Sequence, residues 1–375
     1  MHIQGVVRAL TLLGHEVCVV GPPGVPADAS CDASQTPRRA AWARIWQQIS
    51  GAAPEWLFEM LECAYGGYCF VVLSRAVRKH RPHLIYDRYS LFNFGPTAVA
   101  GSYGVDLVTE FNDATVIRRS RPLLFERLAR RIEKTTLRRS TLVVTVSERL
   151  GELLVSTHDL PDRAFVVTPN AVDPQRFAIA DGSEMRRCLG LERKAVIGVV
   201  GSFVAWHGLD YLVRSVARLL DQRPDCRVLL VGDGPVRRGI EALIERCGLE
   251  GKVSFTGFVA PEEVPKYIAC MDVCVMPDSN EHGSPMKIFE YMAMSKAVVA
   301  PAYPPIERVI EHGGNGILFR PRDEAALGRA ISSLLDDPEL RRRLGHQARL
   351  DVLENHTWQK NVETLLAALA HERPR

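Results

Sequence analysis

Residues 280–300 read NEHGSPMKIFEYMAMSKAVVA, and two charged residues in this stretch, Lys287 and Glu290, stand one helical turn apart. Ser284 followed by Pro285 predicts an N-cap and a first helical residue. Met286, Phe289, Met292 and Ala293 recur at helical spacing and give the helix one apolar face; 297–300 reads as the next strand. A helix start presents unpaired backbone N–H groups and partial positive charge, so it suits an anion such as a diphosphate. Lys287 adds a full charge in the first turn, where the dipole alone disfavours a cation. Glu290 can accept from two hydroxyls at once. Diphosphate and diol together point to a nucleotide sugar.

Other loops carry weaker signals. Gly232-Asp233-Gly234-Pro235 follows an apolar run, and its glycines permit a tight turn close to a ligand; an ordinary strand-to-helix turn reads equally well. In the loop from Gly201 to Gly208, Ser202 can donate a hydrogen bond, and His207 can do so whether or not it is protonated. A surface His beside a packing Trp206 is the other reading. Tyr86-Asp87-Arg88-Tyr89-Ser90 and Thr109-Glu110-Phe111-Asn112-Asp113 end predicted strands, where ligands of open α/β sheets gather; polar strand ends facing water are the alternative.

These loops need a framework, and short apolar runs alternating with helical patterns supply one. Strands are expected over 15–20, 83–87, 106–111, 141–146 and 164–168, then over 195–201, 226–232, 252–256, 272–276, 297–300 and 316–319. Most connections are helix-sized, so each series should form a parallel sheet. The 375 residues suffice for two domains. With 24% charged and 46% hydrophobic residues the chain is globular, and a net charge of +3 is too small to argue for nucleic acid. The nine cysteines are scattered without a Cys-x2-Cys pair, which points to free thiols in a reducing cytosol and away from zinc. No stretch of ~18 apolar residues is seen; the nearest, 64–74, is too short.

The stretch around Glu290 resembles the donor-binding segment of GT-B glycosyltransferases, in particular the family-4 group of retaining enzymes. Their pattern is Glu-x7-Glu; here Glu290 is the second member, and His282 stands at the first position, with Glu281 one place further back. Ser-Pro-x-Lys-x-x-Glu-Tyr-Met resembles a subgroup of these enzymes. Thr168-Pro169-Asn170-Ala171-Val172-Asp173 is similar to the family's Pro-Asn-Gly-Val-Asp junction, and Val231-Gly232-Asp233-Gly234-Pro235 to its Val-Gly-x-Gly-Pro. Where the family carries Gly-Arg-x4-Lys-Gly, this chain has Ser202 and His207 in place of both cations.

The resemblance implies a GT-B α/β fold: two Rossmann-like domains facing a central cleft, with the C-terminal helix crossing back to the first. The expected parts are an acceptor domain over 1–178, a nucleotide-sugar domain over 179–357 and a crossover helix and tail over 358–375. It implies that Glu290 holds the donor ribose, that Gly283, Ser284, Pro285, Met286, Ser202, His207 and Gly234 line the donor, and that Phe258 packs on the base. A core aromatic is the equal alternative for Phe258. His282, Lys287 and Asn112 are the expected catalytic groups, Asn112 standing where many members carry a His. No metal or cofactor is implied. The resemblance implies retaining transfer from a nucleotide sugar to a saccharide or lipid-linked acceptor, in cell-envelope or exopolysaccharide synthesis. A nucleotide-sugar 2-epimerase and a non-catalytic nucleotide-sugar binder are the rivals.

Family members begin with a strand and a Gly-rich loop before the first helix, so an upstream segment is expected to be missing here; a shorter domain is the alternative. The Pro/Ala-rich connection over 22–52 is expected to shape the acceptor site. Residues 118–139 carry nine Arg or Lys, with Leu124, Leu128 and Ile132 on one face. Such a helix could touch the inner face of an anionic membrane, or pack its apolar face on the first domain.

Overall fold

The computed structural model describes residues 2–21, 54–117, 122–161 and 163–372. The connection over 22–52 and residues 118–121 lie outside them. The chain forms two compact α/β units, Met1–Pro169 with Asn361–Arg375, and Asn170–Lys360. The sequence reading puts the boundaries at 178 and 357. Residues from 170 onward join the second unit because the Val172 N–H donates to His356 O at 3.0 Å and Val172 pairs with Thr357.

In the first unit β1 (Leu84–Arg88), β2 (Asp106–Phe111), β3 (Leu142–Thr145) and β4 (Val166–Val167) lie in that order, all parallel. β3 is apolar and buried at every position but its final Thr145, also buried, as a strand covered on both faces must be. On one face Val108, Leu142 and Val144 pack with Leu365 and Leu369 of the helix Trp358–Glu372, so the last helix returns to the first unit. Each leucine contributes about 1.5–3 kcal/mol by leaving water.

Three expectations for this unit need correction. Residues 15–20 form no strand: they have no ladder partner among the described residues, and their side chains are half-buried or exposed. An apolar run without a neighbouring strand has nothing to satisfy its backbone. The uncharged run over 64–74 belongs to a helix, Glu55–His80, that is long and apolar enough to cross a membrane by length and composition. It packs on the helix Gly95–Tyr103 through small residues; a Cβ at Gly95 would stand 2.7 Å from Gly66 O. The basic helix Glu126–Arg139 buries Ala129, Glu133, Thr136 and Leu137, while Leu124 and Leu128 are exposed. A carboxylate overrides the apolar stripe: Glu133 takes bonds from His158 Nε2 at 2.6 Å, Thr115 N at 2.9 Å and Thr115 Oγ1 at 2.7 Å.

The second unit holds β5 (Ala195–Val200), β6 (Cys226–Val231), β7 (Val253–Phe255), β8 (Val273–Val275), β9 (Ala297–Pro301) and β10 (Ile317–Phe319). All are parallel, in the order β10-β9-β8-β5-β6-β7, so the winding reverses between β5 and β8. Successive residues serve opposite faces: Val196, Val200, Cys274 and Met276 join one core, Ile197, Val199, Val273 and Val275 the other.

β8 pairs with β5 only at Ile197 and Gly198. Beyond that the strands splay, and the fully buried Tyr291 OH accepts from the Val200 N–H at 2.7 Å. Tyr291→Phe leaves that buried N–H unpaired. It should cost about 1–3 kcal/mol of unfolding free energy, read as a lowered urea midpoint at unchanged slope.

Candidate functional site

The carboxyl ends of β5 and β8 diverge where the winding reverses, and a doubly wound sheet offers a ligand crevice there. The loop after β5 runs from Gly201 to Gly208, and the segment after β8 leads into the helix Met286–Ala293. Lys287 lies between them. It is 9% exposed, and its Nζ has no hydrogen-bond partner. That ammonium sits against Gly201, 3.1 Å from where a Cβ would stand, so any larger residue at 201 would crowd it. Gly201 also has φ +136, which other residues rarely adopt. Glu290, 5% exposed, accepts no hydrogen bond among the described residues.

The helix start differs from the sequence expectation. Pro285, in extended conformation, holds the cap position with no side-chain cap, and Met286 is the first helical residue. Ser284 is no N-cap: its Oγ accepts from the Asn170 N–H at 2.9 Å, and its carbonyl accepts from Asn170 Nδ2. The first-turn N–H groups are therefore left without a side-chain cap. His282 and Gly283 donate their N–H groups to Asn280 Oδ1, so those donors already serve the loop. His282 is half-buried and Glu281 exposed.

Burial sets the charges. It pushes the Lys287 ammonium down to about 8, against the pull of Glu290. It pushes the Glu290 carboxyl up to about 7, against Arg176 and Lys287. Burial and Lys287 push His207 down to about 4. A neutral His207 whose Nδ1–H donates to Ser202 O, 2.6 Å away, offers only a lone pair at Nε2. Neutral His207 thus donates, as expected, but its one N–H is spent on the loop's own backbone.

Gly232 and Gly234 have a packing reason. A Cβ at Gly232 would stand 2.1 Å from Gly201 O, and one at Gly234 2.4 Å from Phe203 O. Phe258 is 82% exposed, which removes the core reading. Ser202 is exposed. Asn112 belongs to the first unit, at the end of β2, where its Nδ2 donates to Glu110.

Sequence reasoning missed two groups. Arg176 lies close enough to Glu290 to oppose its protonation, and its Nε and Nη2 are buried without partners. Asn170 has a buried, unpartnered Oδ1. Both stand in the junction segment, whose motif is read for its Pro-Asn and Asp and carries no signal for a ligand.

Glu290 binds a proton more readily in the fold than unfolded. Its protonated form stabilises the free chain fully below about pH 4.5, and that stabilisation is lost as pH rises through about 7. The wild-type-minus-Glu290→Gln difference in unfolding free energy should therefore fall by about 2–3 kcal/mol between those pH values. A flat difference in urea titrations would place the carboxyl in water.

The comparisons with known proteins bear on both units. Residues 182–351 match the family model "Glycosyl transferases group 1", and residues 1–176 match "Glycosyltransferase Family 4". The alpha-D-kanosaminyltransferase of Streptomyces kanamyceticus is 28% identical over 348 residues, 89% of each chain. The D-inositol 3-phosphate glycosyltransferase of Streptomyces scabiei is 30% identical over 291 residues, 72% of this chain and 64% of the relative. The crystal structure of Anabaena Alr3699/HepE in complex with UDP superposes with a TM-score of 0.69 at 21% identity, covering 80% of this chain and 82% of the other.

Proposed function

The chain is a glycosyl-transferring enzyme that belongs to the group-1, family-4 glycosyltransferases of the GT-B fold, and from that premise we propose that it moves a sugar from a nucleotide-sugar donor to a hydroxyl acceptor with retention. The observation that carries this reading is the buried, unpartnered Lys287 ammonium at an uncapped helix start, beside Glu290. A diphosphate supplies the missing partner for Lys287 Nζ and an acceptor for the helix start, where the Ile288 N–H already donates to Pro285 O, and a ribose diol supplies donors for Glu290. Phe258 offers its exposed ring to the base.

In the reaction the bond from the anomeric carbon to the phosphate oxygen breaks, and a bond to the acceptor oxygen forms on the same face. The acceptor's proton passes to the departing phosphate oxygen. Lys287 and the helix start stabilise the growing negative charge, which is electrostatic catalysis, and no metal is assigned a role. A nearby anion also raises the proton affinity of His207, so that Nε2 gains the proton it needs to donate.

We take the acceptor to be a saccharide or lipid-linked saccharide of cell-envelope or exopolysaccharide synthesis, on the cytoplasmic side. A small cyclitol is the second reading, favoured by the inositol 3-phosphate in the name of one relative. The exposed Leu124, Phe125 and Leu128 beside Arg127, Arg130 and Arg131 suit an anionic membrane surface.

Calorimetric titration with UDP-, GDP- and ADP-sugars tests the donor site. One of them should bind saturably, Glu290→Ala should weaken it about tenfold or more, and affinity should fall as pH passes about 8 and Lys287 loses its charge. Absence of binding by a folded chain would end this reading. Charge reversal at Arg130 and Arg131 should weaken binding to anionic liposomes about tenfold; unaltered binding would remove the membrane surface.

A further inference from the structure

Glu110 closes β2 in the first unit and is 2% exposed. Three donors converge on its carboxylate. His2 Nε2 lies 2.8 Å from Oε1, Tyr86 OH donates to Oε2, and Asn112 Nδ2 donates to Oε1. Burial raises the carboxyl's proton affinity, but bonds from His2, Tyr86 and Asn112 overcome it and hold Glu110 below the usual carboxylate range. Tyr86 is held well above the usual phenol range by burial and by Glu110, so it keeps its proton and donates.

An ionised carboxylate has only acceptors, so the side chain two residues on must face it with its NH2 group. The amide is planar, and its oxygen therefore points the other way. Asn112 is half-buried, and no hydrogen bond among the described residues reaches its Oδ1. That oxygen stands at the carboxyl end of the parallel sheet, where open α/β sheets take their ligands.

We infer that Glu110 is a positioning residue: it locks the Asn112 amide so that Oδ1 is a fixed acceptor for a sugar hydroxyl. The inference rests on the glycosyl-transfer reading for what Asn112 meets, and on the chain's own hydrogen bonds for how Asn112 is held. A locked acceptor discriminates. A hydroxyl satisfies it, whereas a deoxygenated position leaves it unpaired and is rejected. A free Asn would turn its NH2 outward as readily and lose that selectivity. The residue types alone would not reveal this, because Asn offers both a donor and an acceptor until its neighbour is known.

The test uses the full chain and a double-mutant cycle. Glu110→Gln, Asn112→Ala and the pair are compared for nucleoside diphosphate release from UDP-, GDP- and ADP-glucose, and nitrogen-15 spectra follow the Asn112 side-chain amide. Glu110→Gln should lower kcat about tenfold with the donor KM within about twofold, and should change kcat by less than about twofold once Asn112 is Ala. The Asn112 amide protons should exchange with water about tenfold faster in Glu110→Gln. Equal losses in both backgrounds, or unaltered exchange, would reduce Glu110 to a support of the fold and overturn the inference. So would an Asn112→Ala variant of wild-type activity. Failure of the wild type to turn over any of the three donors would count against the transfer reading, and the amide exchange would then decide the positioning alone. Where Glu110→Gln does not fold, Asn112→Asp decides. Two facing carboxylates bind a shared proton, so its activity relative to wild type should recover as pH falls from about 8 to about 5.5. A ratio independent of pH would overturn the inference.

Discussion

The reversal of strand order between β5 and β8 is the constraint on which the second unit's chemistry depends. A parallel sheet must return each strand by a right-handed crossover, so helices before and after the reversal cover opposite faces. The two loops at the reversal are pushed apart, and the backbone between them loses its neighbour. Here the ladder between β5 and β8 stops at Gly198, and Tyr291 reaches across to take the Val200 N–H. That one bond links the strand leading to Gly201 with the helix that carries Lys287 and Glu290. Packing fixes the rest: the loop after β6 fits against the loop after β5 only because Gly232 and Gly234 lack a Cβ.

On this frame the molecule places charges in surroundings that oppose them. Lys287 at about 8 and Glu290 at about 7 are both shifted toward their neutral forms by burial, and their mutual attraction recovers only part of the loss. The free chain is less stable for it. Under the proposed function a ligand offsets this cost, because an anion and a diol would gain from charge the fold has already desolvated. Arg176 fits the same account, with two buried nitrogens and no partner.

The strands were legible because β-branched runs at alternating or continuous spacing mean the same thing in any parallel sheet. Ten of the expected strands have counterparts, several to within a residue at each end. The eleventh, over 15–20, had the right residues; a strand, however, is a pair property that composition cannot supply. The helix start at Met286 was legible from Pro285 and the apolar spacing. The use of Ser284 was not, since a hydroxyl that could cap its own helix instead accepts from Asn170, far away in sequence. Burial of Lys287 and Glu290 was equally hidden, because charged residues one turn apart look alike on a solvated face and in a crevice. Leu128 shows the converse. Its spacing left a membrane face and a core face open; the helix buries Glu133 and packs Ile132 on the core, but leaves Leu128 exposed.

Buried carboxylates make the final distinction between structure and site. Glu59, Glu110 and Glu133 of the first unit are 1%, 2% and 0% exposed, and each is supplied with donors. Glu59 takes the Leu124 and Phe125 N–H groups at 2.7 and 2.6 Å and so ties the segment leading into the helix Glu126–Arg139 to the helix Glu55–His80. Glu133 ties the turn at Thr115 to His158. Glu110 gathers His2, Tyr86 and Asn112. Each is a closed account, and removing it would cost stability. Glu290 is also buried, with no hydrogen-bond donor among the described residues, and the Lys287 Nζ beside it is buried without an acceptor. Folded proteins rarely leave buried polar groups in that state unless something else completes them. Glu59 and Glu133 are satisfied within the fold, whereas the unpartnered Lys287 ammonium is what the proposed donor site rests on; Glu110 stands between the two cases, satisfied itself while it spends the Asn112 NH2 and leaves the Asn112 oxygen without a partner among the described residues.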